Sequence, residues 1–211
     1  MTLRRLTRRT VALTTSVSMG GGRFGGRFDR YKDGRQLGGE VRKKIIGWDV
    51  APSEEYFREL FRVAKNQVIW GGNYFSLPPT RCFLVWRKLT ISESFSMAMA
   101  EYAWTSFNGN AKVFECAPQG SAKEQRFHPT QKPVALYSWV FKQFAKPGDR
   151  VLDTHLGSGS SRIAAYGLDL DFTGIEIDKE YFDKSVERFE RRCHGVQDIG
   201  GHWIEQGSLF L

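Results

Sequence analysis

From residue 52 onwards, hydrophobic and polar positions follow the periods of helices and strands. Residues 52–66 (PSEEYFRELFRVAKN) begin with Pro52 and a capping residue, Ser53, and their apolar positions recur at helical spacing, which predicts an amphipathic helix. Short apolar runs predict strands in QVIWGGNYF (67–75), RCFLVWRK (81–88) and GNAKVFECAP (109–118). The run MAMAEYAWTSF (97–107) is apolar enough for a helix or a strand, and its pattern does not separate the two.

The second half of the chain alternates between helices and strands. Residues 128–149 predict a helix that starts at Pro133, a residue favoured in the first helical position, and stops at Pro147-Gly148. The pattern then predicts strand, helix, strand and helix over 150–157, 160–168, 171–178 and 179–193. This alternation is typical of an α/β protein with a mostly parallel sheet.

Composition narrows the class of protein. Of the 211 residues, 41% are hydrophobic, which is enough for a sizeable core in one domain with tails. No run of about 18 apolar residues is present, so the sequence predicts no membrane span. Cys82, Cys116 and Cys193 are far apart and form no CxxC pair, which argues against a disulfide framework or a metal site and favours a reducing cytoplasm.

The net charge of +8 is concentrated at the N-terminus. Residues 1–44 hold 12 Lys/Arg and 3 Asp/Glu, whereas the rest of the chain holds 19 and 20. A basic arm suggests a polyanionic partner such as nucleic acid, although a solubilising tail or a transit peptide has a similar composition. We therefore predict a basic Gly/Arg-rich arm at 1–44, a globular domain at 45–195 and a C-terminal tail at 196–211.

A glycine loop joins a predicted strand to a predicted helix at DTHLGSGSS (153–161). In parallel sheets, ligands bind where such loops meet the carboxyl ends of strands, and glycines let the backbone approach them closely. Glu176 ends the next strand, 19 residues after Gly157, where a carboxylate can accept both hydroxyl hydrogens of a ribose. In the dinucleotide-binding pattern GxGxxG, Arg162 takes the place of the third glycine. The alternative interpretation of the loop is a tight turn between strand and helix that binds no ligand. Few residues follow Glu176, so the remaining strands must precede the loop.

The segments FHPTQKP, VLDTHLGSGSS and FTGIEIDKEYF, in this order, resemble the DNA amino-methyltransferases that act on adenine-N6 or cytosine-N4. The resemblance is to the β-ordered group common in phages and bacterial mobile elements, and it covers about residues 45–192. VIWGGNYF and FLVWRK also match that family. The resemblance implies a Rossmann-like sheet whose cofactor-binding half is C-terminal, S-adenosylmethionine as cofactor, and a flipped base in double-stranded DNA as substrate.

The resemblance also implies roles for individual residues. The strand end and loop would hold the methionine part of S-adenosylmethionine through Asp153, Thr154, Gly157, Ser158, Gly159 and Ser160. Glu176 would bind the ribose, with Asp178 and Tyr181 nearby. The HPTQKP box would close the cofactor pocket through His128, Thr130, Gln131, Lys132 and Pro133.

The catalytic box of this family is missing. The family carries Asp, Asn or Ser, then Pro-Pro, then an aromatic residue, and the order of motifs places this box at about residues 14–17, after a strand VAL. The chain has Thr14, Thr15, Ser16 and Val17 instead. Three explanations are open: a shifted reading frame or damaged start, a loss of methyl transfer with binding retained, or a substitute group. Asn73 and Tyr74 are the candidates for that substitute.

The C-terminal QGSLF (206–210) resembles the short peptide by which bacterial replication and repair proteins bind the sliding clamp. Gln206 would enter a polar pocket of the clamp, and Leu209 and Phe210 an apolar one. The alternative is a tail that folds back onto the core.

The sequence thus predicts a DNA methyltransferase of bacterial or phage origin, acting on adenine-N6 rather than cytosine-N4 and without a metal. A catalytically inactive remnant that binds cofactor and DNA is the first alternative. A nucleotide-binding oxidoreductase is the second, and both the late glycine loop and the HPTQKP box argue against it.

Overall fold

The computed structural model describes residues 10–14, 51–94, 97–119, 126–199 and 202–205. Within these residues the strands are β1 (Thr10–Thr14), β2 (Asn66–Trp70), β3 (Phe83–Lys88), β4 (Ala100–Thr105), β5 (Lys112–Cys116), β6 (Arg150–Asp153), β7 (Asp171–Gly174), β8 (Val196–Ile199) and β9 (His202–Glu205). The α-helices are α1 (Glu54–Val63), α2 (Val134–Phe144), α3 (Ser160–Tyr166) and α4 (Lys179–Phe189). A 3-10 turn follows β2 at Gly72–Tyr74, and a π-helical turn extends α4 over Glu190–His194.

Seven of the described strands form one sheet in the order β5-β3-β4-β2-β1-β6-β7. All neighbouring pairs in it are parallel except those that β4 makes with β2 and β3. The predicted α/β fold with a mostly parallel sheet is therefore confirmed. The ambiguous segment 97–107 contains strand β4, which joins the sheet by antiparallel pairing.

Strand β1 lies inside the segment that we predicted as an arm. Residues 10–14 pair with β2 on one side and β6 on the other, and Ala12 and Leu13 are completely buried. The arm boundary at residue 44 is therefore wrong for these five residues, because the sheet takes one of its inner strands from them. The strand VAL that the family resemblance placed there is confirmed.

The segment that we predicted as a C-terminal tail also contains regular structure. β8 and β9 pair antiparallel as a separate two-stranded sheet. Residues 196–199 and 202–205 are thus held together by antiparallel backbone pairing.

Helices cover both faces of the seven-stranded sheet. On one face, Leu136 and Tyr137 of α2 and Ala164 of α3 pack into the larger core cluster. On the other face, Leu60 and Val63 of α1 pack against a smaller cluster. Among the described residues, no helix is both long and apolar enough to cross a bilayer.

Local sequence signals explain where the helices begin. The hydroxyl of Ser53 accepts a hydrogen bond from the amide of Tyr56, 3.3 Å away, and caps α1 as predicted. The carboxylate of Asp178 caps α4 in the same way, accepting from the amide of Tyr181 at 3.1 Å. Pro133 is not the first helical residue: its ψ of 144° is extended, so it precedes α2 and the helix starts at Val134.

Candidate functional site

The carboxyl ends of β1, β6 and β7 meet at one edge of the sheet. Asp153, the last residue of β6, lies beside Leu13 on one side and Gly174 on the other. Beyond the strands, the amide of Thr154 donates to the carbonyl of Leu13 (3.2 Å), and the amide of Leu156 donates to the carbonyl of Ile175 (2.9 Å). These bonds fix the first half of the glycine loop that leads into α3.

Glu176 and Gly157 are in direct contact. The amide of Gly157 donates to Oε2 of Glu176 at 2.7 Å, and the amide of Asp178 donates to Oε1 at 3.0 Å. The carboxylate is thereby held in one orientation at the end of β7, and each oxygen keeps a second lone pair. The two residues that the sequence placed 19 positions apart form one side of the candidate site.

Glycine is required at position 157 for two reasons. Its φ of +54° lies in the left-handed region that side chains disfavour. A Cβ there would also lie 3.3 Å from Cε1 of His128. The HPTQKP box therefore packs directly on the backbone of the glycine loop.

The carboxylate of Asp153 bonds to residues of the glycine loop and of α3. Its side chain is completely buried, and it accepts hydrogen bonds from the hydroxyl of Ser161 (2.5 Å) and the amide of His155 (3.0 Å). The bond to Ser161 ties the end of β6 to the first turn of α3. A contact of Asp153 with the methionine part of S-adenosylmethionine, which the family resemblance implies, stays a prediction.

Residues 126–133 form a compact turn above the loop. The amide of Gln131 donates to the carbonyl of His128 at 3.1 Å, and the amide of Thr130 donates to Nδ1 of the same residue at 3.3 Å. The imidazole of His128 also packs edge-on against Tyr181 of α4, with the ring centres 4.4 Å apart. The structure thus brings the box, the loop and the start of α4 together.

The protonation of His128 is set by its burial. Burial, followed by the charge of Lys132, lowers the pKa of His128 to about 4, against a smaller opposing effect of Asp178. Arg126 also faces this imidazole and lowers its pKa further. Because the ring is neutral at neutral pH, its Nδ1 can accept the hydrogen bond from the amide of Thr130.

We predict that the free energy of unfolding falls by up to about 3 kcal/mol as the pH is lowered from 6.5 towards 4. In this window His128 is protonated in the unfolded chain but stays neutral in the folded one, so acid favours unfolding. Urea melts at several pH values measure the slope, and His128→Asn should reduce it. Above about pH 7.5, where His128 is neutral in both the folded and the unfolded chain, the wild type and His128→Asn should show the same slope, which supplies the control. Equal slopes in the wild type and His128→Asn below pH 6.5 would contradict the prediction.

Arg188 ties α4 to the glycine loop. It is buried, and its Nη1 donates to the carbonyl of Ser158 at 2.7 Å and to the hydroxyl of Ser160 at 2.9 Å. That hydroxyl donates in turn to the carbonyl of Lys132 at 2.7 Å. Our sequence analysis missed Arg188, because it lies 30 positions from Ser158 on a charged helix, where an arginine carries no distinguishing signal.

His155 and Tyr56 lie on the side of the loop next to β1. Nδ1 of His155 is 3.0 Å from the hydroxyl of Thr154, and that hydroxyl is 2.7 Å from the phenol oxygen of Tyr56. Burial lowers the pKa of His155 and raises the pKa of Tyr56. Neither residue was singled out from the sequence, although the position of His155 inside the glycine motif was a usable signal.

Asn73 and Tyr74 lie at the same sheet edge, in the 3-10 turn that follows β2. Both are exposed, Tyr74 by 54%, and β2 pairs directly with β1 through Ile69 and Thr14. They therefore lie one strand away from the end of β1.

The rest of the predicted catalytic position (15–17) and the clamp-binding residues Gln206, Leu209 and Phe210 lie outside the described residues.

Ile177 is a further candidate that the sequence analysis missed. Its side chain is 96% exposed, directly beside Glu176. Its apolar surface is therefore accessible to a group bound near that carboxylate. Over the ranges that the structure describes, no three His, Cys, Asp or Glu side chains are grouped so that they could hold a metal ion.

Comparison with known families gives one match over most of the chain. A family model described as a DNA methylase (N6_N4_Mtase) matches residues 53–187. This range contains the HPTQKP box, the glycine loop and Glu176.

Two curated relatives are similar in sequence. Type II methyltransferase M2.MboI from Moraxella bovis is 39% identical over 150 residues, which cover 69% of this chain and 48% of the relative. Type II methyltransferase M.HpaI from Haemophilus parainfluenzae is 38% identical over 77 residues, which cover 36% of this chain and 24% of the relative. The chain therefore spans less than half the length of each relative.

Two solved structures are similar in fold. The M1.HpyAVI–SAM complex superposes with a TM-score of 0.50 at 19% identity, covering 86% of this chain and 88% of that one. The cytosine-N4-specific PvuII DNA methyltransferase superposes with a TM-score of 0.51 at 14% identity, covering 86% of this chain and 80% of that one. At such low identity these matches show a shared fold.

Proposed function

We propose that this chain, which belongs to the N6/N4 DNA methylase family, transfers the methyl group of S-adenosylmethionine to an exocyclic amine of a flipped DNA base. S-adenosylmethionine is the cofactor of this family. Adenine-N6 is the amine we propose. Chromatography of nucleosides from the methylated product distinguishes N6-methyladenine from N4-methylcytosine.

The carboxylate of Glu176, held by two backbone amides at the end of β7, is the observation that carries this proposal. Its remaining lone pairs suit the two hydroxyl groups of a ribose. The exposed side chain of Ile177 beside it suits the face of an adenine ring. The missing side chain of Gly157 lets His128 and the turn at 126–133 pack closely on the loop, since a Cβ there would press on His128. The residues present therefore fit an adenosyl group.

The protein would contribute mainly by positioning. Bound S-adenosylmethionine supplies an electrophilic methyl group on a sulfonium sulfur, and the lone pair of the base amine is the nucleophile. Glu176 and Ile177 would orient the adenosyl end, and the turn at 126–133 would cover the loop from above. Holding the two partners in line lowers the entropic part of the barrier.

Binding of cofactor and DNA without methyl transfer is the second candidate function. The sequence after β1 reads Thr15-Ser16-Val17 and offers no carboxylate, proline or aromatic residue. An active chain would need a substitute that accepts a hydrogen bond from the amine and an aromatic face for the base. The amide of Asn73 and the ring of Tyr74 are the candidates for these roles, since both are exposed at this edge.

Two measurements on the purified protein separate these candidates. Calorimetry measures the binding of S-adenosylmethionine, and a labelled-methyl assay measures transfer to mixed-sequence duplex DNA. Binding with transfer supports the enzyme and makes Asn73→Ala and Tyr74→Ala the next variants. Binding without transfer supports the second candidate. No binding would overturn the cofactor assignment for Gly157 and Glu176.

We predict that Gly157→Ala weakens cofactor binding by about tenfold, a difference of about 1.4 kcal/mol. The new methyl group would force either the His128 ring or the loop to move, because its Cβ lies 3.3 Å from that ring. Gly148 is the matched control: its φ is +79°, but nothing lies within 4 Å of a Cβ there. Gly148→Ala should therefore cost stability through backbone strain alone and leave binding unchanged. Calorimetry with both variants separates a specific loss of binding from a general loss of stability.

The expected partners follow from the same proposal. Double-stranded DNA is the substrate, and the basic residues of 1–44 are candidates for contacts with its phosphates. Binding to a sliding clamp through Gln206, Leu209 and Phe210 stays a prediction, as does the cytoplasmic location. Deleting residues 206–211 tests the clamp contact in a pull-down with purified clamp.

A further inference from the structure

Three charged side chains from distant parts of the chain meet beside the candidate site. Nζ of Lys88, at the end of β3, lies 2.7 Å from Oε1 of Glu101, at the start of β4. Nζ of Lys132, in the HPTQKP box, lies 2.8 Å from Oε2 of the same carboxylate. Both lysines are buried, whereas the Glu101 side chain is 31% exposed. We call Lys88, Glu101 and Lys132 the lysine–glutamate triad.

The triad places two buried lysine side chains against one carboxylate. Burial by itself would raise the pKa of Glu101, but the charges of Lys132 and Lys88 outweigh it and lower the pKa to about 2. Lys132 also lies over the ring of Trp70 (5.7 Å) and Lys88 over that of Trp86 (5.2 Å), where each ammonium gains a cation–π contact. Removing the carboxylate would leave two buried charges uncompensated, which is costly.

The triad connects the sheet to the glycine loop through one residue. The side chain of Lys132 binds Glu101, while its carbonyl accepts the hydroxyl of Ser160, the first residue of α3, at 2.7 Å. Lys88 has no corresponding link, since its backbone amide bonds to Met99 between β3 and β4. Within the triad, the link between the sheet and the glycine loop therefore runs through Lys132 and not through Lys88.

We infer that Glu101 is a positioning residue for the cofactor pocket, which it serves by holding Lys132 and, through it, the turn at 126–133 against the glycine loop. This inference rests on the proposed function, because the pocket concerned is the one for S-adenosylmethionine. The geometry assigns Lys132 an indirect role: its ammonium is directed to the start of β4, and its contact with the loop is made by its backbone.

The two lysines allow a matched test. Lys132→Met and Lys88→Met each remove one buried ammonium from Glu101 and leave one ion pair. We expect Lys132→Met to weaken S-adenosylmethionine binding by about tenfold, a loss of the size measured between residues in contact. We expect Lys88→Met to change binding by less than about twofold. Urea melts check that both variants fold. Equal binding losses in the two variants would overturn the inference.

A double-mutant cycle separates positioning from direct contact. If Lys132 acts through Glu101, then Glu101→Gln weakens binding about as much as Lys132→Met, and the double variant is no weaker than either. Additive losses, or normal binding by Glu101→Gln, would mean that Lys132 contacts the cofactor directly and would overturn the inference. If Glu101→Gln does not fold, Glu101→Gln/Lys88→Met restores the balance of charge and takes its place in the cycle.

Hydrogen exchange gives a readout that does not depend on the cofactor. In the ligand-free protein, peptides covering 126–133 and 154–160 should exchange faster in Glu101→Gln and in Lys132→Met than in Lys88→Met. Equal exchange in all three variants would contradict the inference. A wild type with slow exchange that fails to bind S-adenosylmethionine would instead refute the proposed function and leave the triad as a link between sheet and loop.

Discussion

Glu176→Gln should weaken S-adenosylmethionine binding by about 100-fold. In the native protein both carboxylate oxygens accept from backbone amides, one from Gly157 at 2.7 Å and one from Asp178 at 3.0 Å. A glutamine has the same shape, but whichever way its amide group faces, its NH₂ meets one of these N–H donors. The variant also loses the charge that strengthens hydrogen bonds to the ribose. Two charge-assisted bonds at about 1.5 kcal/mol each correspond to a loss of about 100-fold.

Calorimetric titration of the wild type and of Glu176→Gln with S-adenosylmethionine measures this effect. Glu180→Gln is the control, because Glu180 lies on the same stretch of chain but forms an exposed pair with Lys184 at 2.6 Å. Exposed pairs contribute little, so this variant should bind normally. Binding by Glu176→Gln within a factor of three of the wild type would show that the carboxylate does not hold the ribose.

Restoring the family's catalytic box should raise methyl transfer to DNA by at least about 100-fold over the wild type. β1 ends at Thr14 between β2 and β6, and the carbonyl of Leu13 accepts the amide of Thr154 at 3.2 Å. The chain therefore leaves the sheet directly beside the loop that would carry the cofactor. An acceptor for the amine and an aromatic face at this point would orient the base, and a single well-placed polar group of this kind is worth about 100-fold or more.

Two variants cover the two registers that the end of β1 allows. One carries Thr14→Asp, Thr15→Pro, Ser16→Pro and Val17→Tyr, and the other carries Thr15→Asp, Ser16→Pro, Val17→Pro and Ser18→Tyr. The control keeps the prolines and the tyrosine of the second variant but has Thr15→Ala, so that only the carboxylate is missing. If both variants bind S-adenosylmethionine and transfer no methyl group above the wild type, the amine site does not lie at the end of β1.

Local sequence was sufficient for most helices and strands. The capping residue Ser53 marks the start of α1, and the helix predicted over 179–193 begins at Lys179, the first residue of α4. It was not sufficient for 97–107, because a short apolar run fits a strand and a buried helix equally well. Pairing with β2 and β3 decided that β4 is a strand.

Strand β1 shows why composition misled the domain boundary. Its five residues lie in a segment rich in arginine, threonine and glycine, which has the composition of a disordered arm. A strand flanked on both sides gains its stability from neighbours that are far away in sequence, β2 and β6. Only the resemblance to a family, which carries information about distant pairing, pointed to this strand.

The sequence by itself indicated the glycine loop and the carboxylate of Glu176 at the end of the next strand, because both depend on local chemistry, and the resemblance to a family added the HPTQKP turn. Tertiary structure alone decided which side chains hold these parts together. Arg188 reaches Ser158 across 30 positions, and Glu101 reaches Lys132 from another strand. Such contacts leave no pattern in a single sequence, because a buried arginine or glutamate looks like any surface charge until the chain folds and brings its partner to it.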